Sequence, residues 1–163
     1  TNMENKVYIL KVLYNVRNLL DGKILATLLR KYWNQISNPW SNEHITTKQL
    51  QELFRMADRK VLMDKKFEGV IDIYRVIDLN TNMAGKSYCT TMKGTQKYIK
   101  DNDSCMLTTE KVTSDKILAY FEDRDEVIID IDDVLLYDSQ LHYYMIKWNK
   151  EGRTKENAHC NIK

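Results

Sequence analysis

Proline occurs once and glycine five times in 163 residues. So little of either leaves no room for long flexible linkers, and one domain is the natural division. Cysteine is equally thin. Cys89, Cys105 and Cys160 are odd in number and form no C-x-x-C pair, which argues for free thiols and against a disulfide framework. The three histidines, His44, His142 and His159, are too scattered to suggest a metal site. A formal net charge of +2 is too small to point to nucleic acid or an anionic membrane. No apolar run reaches the roughly 18 residues that span a bilayer, so no membrane partner is expected. The apolar stretch from Val7 to Leu13 is broken by Lys11 and has no small-residue cleavage site after it. A secretory leader is therefore not expected, and the cytoplasm is the expected location. The phosphate loops G-x-x-x-x-G-K-[ST] and G-x-G-x-x-G, the nucleophile elbow G-x-S-x-G and the zinc motif H-E-x-x-H are all missing. Asp130-x-Asp132-Asp133 lacks the glycine turn and distal Glu of a cation loop and reads as a solvated strand end, so no metal is expected.

What is present reads as a globular α+β chain. The hydrophobic share is 43% and the charged share 29%, with ten tyrosines and three tryptophans. Apolar residues near a 3.6 period predict helices from Glu4 to Leu20 and from Lys23 to Ile36, the second ended by Asn38-Pro39. Thr46 or Thr47 caps a third, running through Lys60. Near Phe67 the character changes. Val70, Ile71, Ile73, Tyr74, Val76 and Ile77 predict a strand, and further strands are expected over 87–91, 105–112, 126–130, 134–137 and 141–148. Short helices are expected over 93–101 and after Ser114, through Tyr120. Helices first and strands later argue against an alternating parallel sheet. The expected division is a helical lobe over 1–66, a β core over 67–150 and a polar tail over 151–163.

Three stretches carry possible chemistry. The first is Asp72-Ile73-Tyr74-Arg75-Val76, an arginine inside an apolar strand. Next comes Ser87-Tyr88-Cys89-Thr90-Thr91, leading into a helix that holds Tyr98. The third runs from Ile117 to Ile129 and places Glu126 at the mouth of an apolar strand after a charged turn. Charges in or beside a strand are costly to bury unless paired, so Arg75 and Glu126 both require an explanation.

The order and spacing of these stretches resemble the Arg–Ser–Glu class of mono-ADP-ribosyltransferases, especially the small versions found in phages and mobile elements. Tyr74-Arg75 matches the family's arginine strand, Ser87 to Thr91 its hydroxyl-rich strand, and Glu126-Val127-Ile128 its glutamate motif. Asp115 to Tyr120 also looks like the family, and the likeness spans about 70 residues. It implies a helical lobe packed on a mainly antiparallel split β-sheet, with NAD as cofactor. Arg75 would hold a phosphate or ribose through its donor fork. Ser87, Thr90 and Thr91 would line the pocket, and Tyr88 or Tyr98 would offer a flat face to nicotinamide. Glu126 would be the catalytic carboxylate, stabilising the cation formed as nicotinamide leaves. The acceptor would be a protein or nucleic acid, and for a phage-encoded chain a host component in the host cytoplasm. Val76 stands where the family often has Gly, and Arg124 where it often has Glu or Gln. Cys89 or Thr90 fits the serine role by spacing, Ser87 by identity.

All of this requires Arg75, the 87–91 strand and Glu126 to face one cleft. Otherwise the alternative expectation is a non-catalytic phage or mobile-element protein that engages a host or defence protein, with Arg75 and Glu126 structural. A helix-turn-helix role for Thr46 to Lys60, with Lys48, Arg55, Arg59 and Lys60 on phosphates, is the third expectation; a charged solvent face explains the same residues more simply.

Overall fold

A computed structural model describes residues 2–36, 38–78, 87–98, 105–130, 142–148 and 154–159, with backbone alone described at 2–7, 77–78, 105–106, 142–148 and 154–159. It is an α+β protein with antiparallel sheets. Four helices come first: α1 (Asn2–Val16), α2 (Gly22–Trp33), α3 (Thr47–Met56) and α4 (Arg59–Leu62). Asp21 starts α2 by accepting from the Lys23 amide. Thr46 and Gln49 start α3 through a reciprocal capping box, which satisfies two otherwise orphaned amides. The continuous helix expected up to Lys60 is broken at Ala57, whose backbone is extended, and Asp58 begins α4 by capping the Lys60 amide. Likewise α2 stops at Trp33, short of Ile36; left-handed Asn38 (φ 55) then leads into a 3-10 turn, Pro39–Ser41, that carries Trp40.

The strands form two sheets. One has the order β1-β3-β6-β7, from β1 (Val70–Asp78), β3 (Cys105–Thr113), β6 (His142–Trp148) and β7 (Thr154–His159). The other has the order β2-β5-β4, from β2 (Ser87–Tyr88), β5 (Glu126–Ile129) and β4 (Ile117–Phe121). Between β2 and β3 lie the single-turn helix α5 (Met92–Thr95) and a 3-10 turn, Gln96–Tyr98, in place of a helix to Asp101. Thr154–His159, expected as part of a polar tail, pairs with β6. The strand expected over 134–137 lies outside the described residues. The helix expected after Ser114 is a 3-10 turn, Ser114–Lys116, followed by β4. All five residues of β4 are buried, so it shows no amphipathic alternation; a strand covered on both faces reads as a continuous apolar run.

Two hydrophobic clusters explain that double burial. The larger packs Leu10, Leu25, Leu29, Trp33, Leu50 and Phe54 of the helices onto Leu118, Ala119, Phe121 and Ile128 of the small sheet. The second packs Ile73, Tyr88, Val112, Ile117, Tyr120, Val127 and Ile129 together on its other face. An isolated bridge, Tyr74 to Cys89, ties the two sheets together through amide–carbonyl bonds of 2.8 and 2.7 Å. Ser87 pairs with Ile128 and Tyr88 with Val127. By strand alternation, Ser87, Glu126 and Ile128 therefore face the helices, while Tyr88 and Val127 face away from them.

Candidate functional site

Glu126 opens β5 immediately after Asp125, a left-handed residue (φ 43, ψ 49) that ends the 3-10 turn Glu122–Arg124. Its carboxylate points into the junction of helices and sheet and is 5% exposed. Protein donors fill it. Trp33 Nε1 donates to Oε1 at 3.2 Å and Ser87 Oγ donates to the same oxygen at 2.8 Å. The Arg124 guanidinium donates to Oε2. Behind Ser87, Trp40 Nε1 donates to the serine hydroxyl at 2.6 Å. The two indoles meet edge-on at 5.3 Å between ring centroids, and Phe54 meets Trp33 edge-on at 4.8 Å. Such edge contacts are favourable.

Asp125 organises the neighbouring turn. The Thr90 amide donates to its Oδ1 at 3.0 Å, joined by the Thr90 hydroxyl. The Thr91 amide and hydroxyl donate to Oδ2 at 3.1 and 2.7 Å. Thr91 Oγ1 also accepts from the Gly94 amide, capping α5. A Cβ added at Gly94 would collide with the Asp125 carboxylate, so only glycine fits there. Burial opposes ionisation of Asp125, but the donors of Thr90 and Thr91 outweigh it and hold its pKa below the ordinary value. Desolvation, followed by the Asp125 carboxylate, pushes the buried Cys89 thiol up to about 12, so it stays protonated.

Arg75 lies elsewhere. Extending the Tyr74–Cys89 bridge by one residue sets Arg75 opposite Tyr88, and its guanidinium carbon is 5.6 Å from the Tyr88 ring centroid. The Tyr88 hydroxyl reaches buried Glu110 at 3.4 Å. Burial first, then Glu110, raises the phenol's pKa to about 12, opposed by Arg75. Of the residues named from sequence, Ser87 and Glu126 touch each other. Tyr98 lies within the electrostatic reach of Glu126, while Thr90 and Thr91 are engaged by Asp125 next to it. Arg75 and Tyr88 belong to a separate group with Glu110, on the other face of the small sheet. The single cleft expected from sequence is thus divided by β2, because adjacent residues of a strand point to opposite faces.

Trp33, Trp40 and Asp125 are not among the residues the sequence singles out for the site, and Arg124 stands out there only as a departure from the family's Glu or Gln. Trp33 reads only as part of an apolar helical face. For Asp125 the available signal is the charged turn before Glu126. Two of the four candidate phosphate contacts on α3 and α4 also have partners within the chain: Arg55 Nε donates to Asp130 at 2.8 Å and Arg59 to the Asp115 carbonyl at 2.9 Å. No group of three or more His, Cys, Asp or Glu residues that could hold a metal occurs among the described residues. No helix among them is long and apolar enough to cross a membrane. Comparison with known proteins yields no matching family, no matching curated protein and no matching solved structure.

Proposed function

We propose that this chain is a non-catalytic binding protein built on an ADP-ribosyltransferase-like split sheet, acting on a protein partner of the host or defence kind that its motifs suggest. The observation that carries this reading is the state of Glu126. A carboxylate that stabilises a reacting cation must be open to substrate, whereas both oxygens of Glu126 are held by Trp33, Ser87 and Arg124. Arg75, which would clamp the dinucleotide, is paired with Tyr88 across the sheet. Exposed apolar side chains on the helical lobe support binding instead. Tyr8, Val12 and Leu19 recur along one side of α1 and its following turn, Leu19 with 85% of its surface open.

A second reading, NAD-dependent transfer of ADP-ribose to a macromolecule, is favoured by the 2.8 Å contact of Ser87 with Glu126. It requires Trp33, Trp40 and Arg124 to withdraw. One assay separates the two. The protein is incubated with NAD and a broad cell lysate, and nicotinamide release and labelled macromolecules are measured. Equal, blank-level signals from wild type and Glu126→Ala are expected, together with recovery of one stoichiometric partner in a pulldown without NAD. Nicotinamide release that disappears in a folded Glu126→Ala variant would establish the transferase.

A further inference from the structure

Helix α1 is apolar on two faces but packed on one. Leu10 and Leu13 are buried in the core shared with the small sheet. About half a turn away, at about 100° per residue, Tyr8, Val12 and Asn15 fall within about 60° of one another and are exposed. Leu19, four positions on in the 3-10 turn Arg17–Leu19, prolongs the line. An apolar stripe opposite the face already packed marks a second contact surface. The flank of α1 toward α3 is fixed by Lys11, which donates to Gln49 at 3.4 Å, and by Tyr14 and Arg17, which donate to Glu52. Since α1 packs on α2 as well, its other flank, with Ile9 and Val16, turns to α2. On α2 a shallow, mainly apolar groove is lined by Lys23, Ile24, Thr27 and Leu28. Ile24 follows Leu19 by five residues across the turn between the helices, so the stripe runs on to the groove.

Charge decides what fits this surface. Residues 8–31 hold five cations, Lys11, Arg17, Lys23, Arg30 and Lys31, and one acid, Asp21. Arg17 is paired with Glu52 and Arg30 with Asp64, both from outside the two helices. The Asp21 carboxylate is taken by the Lys23 amide. Lys11, Lys23 and Lys31 form no ion pair among the described residues. Lys11 borders the stripe on its α3 side, while Lys23 and Lys31, each four positions from Thr27, border the groove. At the other end His44 meets the Tyr8 ring at 4.8 Å with exposed Glu43 next to it in sequence, so the positive excess lies from Lys11 to Lys31. An apolar floor with unpaired cations on both borders complements an apolar face flanked by carboxylates. A second copy of the chain would bring the same lysines to this face and no free acid.

We propose that the outer face of α1 and α2 is the docking site for an amphipathic helix of the protein partner, apolar along one side and carrying carboxylates on both flanks. This rests on the binding reading above and names the surface and the partner's chemistry. Tyr8, Val12, Asn15 and Leu19 follow the alternating steps of four and three at which one helix meets another. The test uses a designed helix of about five turns with Leu along its seam and Glu on its flanks. A counterpart with Lys in place of Glu and a scrambled peptide of the Glu helix's composition are the controls. Binding is read by fluorescence anisotropy and by ¹⁵N amide shifts of the protein. Saturable binding of the Glu helix is expected, about 10-fold or more tighter than the Lys helix and weakening with added salt, with shifts centred on Val12, Leu19, Ile24 and Leu28. Val12→Glu should weaken it about 10-fold and Lys23→Glu about 3-fold, both at exposed positions where circular dichroism confirms the fold. Equal binding of the Glu and Lys helices or of the scrambled peptide, shifts centred elsewhere, or undiminished binding in either variant would overturn the proposal. Sedimentation showing self-association that Val12→Glu removes would give the face to a second copy, and tighter binding to phosphatidylserine vesicles than to the Glu helix would give it to a lipid surface; either result also overturns it. A partner pulled down equally by wild type and Val12→Glu would leave the binding reading standing and remove this surface, whereas NAD turnover alongside intact binding of the Glu helix would do the reverse.

Discussion

A carboxylate with 5% exposure and donors from three residues behaves as a bracket. Removing it strands Trp33 Nε1 and the Ser87 hydroxyl in a water-poor junction and leaves Arg124 unpaired. Each buried polar group left without a partner costs about 1–3 kcal/mol. Glu126→Ala is therefore expected to lower unfolding free energy by about 2–5 kcal/mol in urea titrations. Glu126→Gln, which keeps an acceptor oxygen, should cost less. A loss below about 0.5 kcal/mol for the alanine variant would place Glu126 outside the structural role argued for it. The aspartates make a prediction of opposite chemical origin, read through pH. Asp125, Asp64 and Asp130 all have folded pKa values below their ordinary value: burial opposes the shift in each case, and backbone or side-chain donors outweigh it. Their contribution is fully present above the unfolded pKa of about 3.9 and disappears as pH falls through the lower folded values. Melting temperature should hold level from pH 7 to about 5 and then drop. Asp125→Asn should flatten that acid limb, because Asp125 no longer takes up a proton.

At the scale of elements, local signals and burial told different things. Of the capping residues, Thr46 is legible in sequence because its chemistry is local, whereas Asp58, which starts α4, lies inside the helix expected to run through Lys60. Thr46→Ala is expected to cost about 1 kcal/mol, measured by denaturant unfolding, since both bonds of the capping box to Gln49 depend on the threonine's position and side chain. What was not legible came from tertiary contact. The apolar run from Ile117 to Phe121 contains no alternation, so its period could not separate a helix from a strand buried on both faces. Pairing with β5 on one side and helices packed over its face decided the matter. The division of Arg75 from Glu126 was hidden for a similar reason. Both residues lie in or at strands, but which face each presents depends on a register fixed by the Tyr74–Cys89 bridge, a contact between residues 15 positions apart. The proximity of Ser87 to Glu126 was anticipated; the indoles covering them come from a helix and a turn far earlier in the chain.

At the scale of the whole molecule, the described helical lobe and small sheet meet at one seam. The helical lobe and the small sheet share one apolar cluster, running from Leu10 and Trp33 to Phe121 and Ile128, and the Trp33–Glu126 bond crosses it. Elements that share a close-packed core lose stability together, since a void on one side removes contacts from the other. The lobe and small sheet should accordingly unfold as one unit. Tryptophan fluorescence and far-UV circular dichroism should give coincident urea transitions, the ordinary sign of two-state behaviour. Phe54→Ala empties the position against which Trp33 and Trp40 lean, and such truncations cost about 3–5 kcal/mol. If the seam transmits stability as argued, that loss reaches the β5 amides. Native-state hydrogen exchange of Val127, Ile128 and Ile129 should then accelerate by the factor set by the global destabilisation, although Phe54 sits on α3. Unchanged protection in β5 beside faster exchange in α3 would mean that the lobe opens alone, and that Glu126 decorates the junction without holding it.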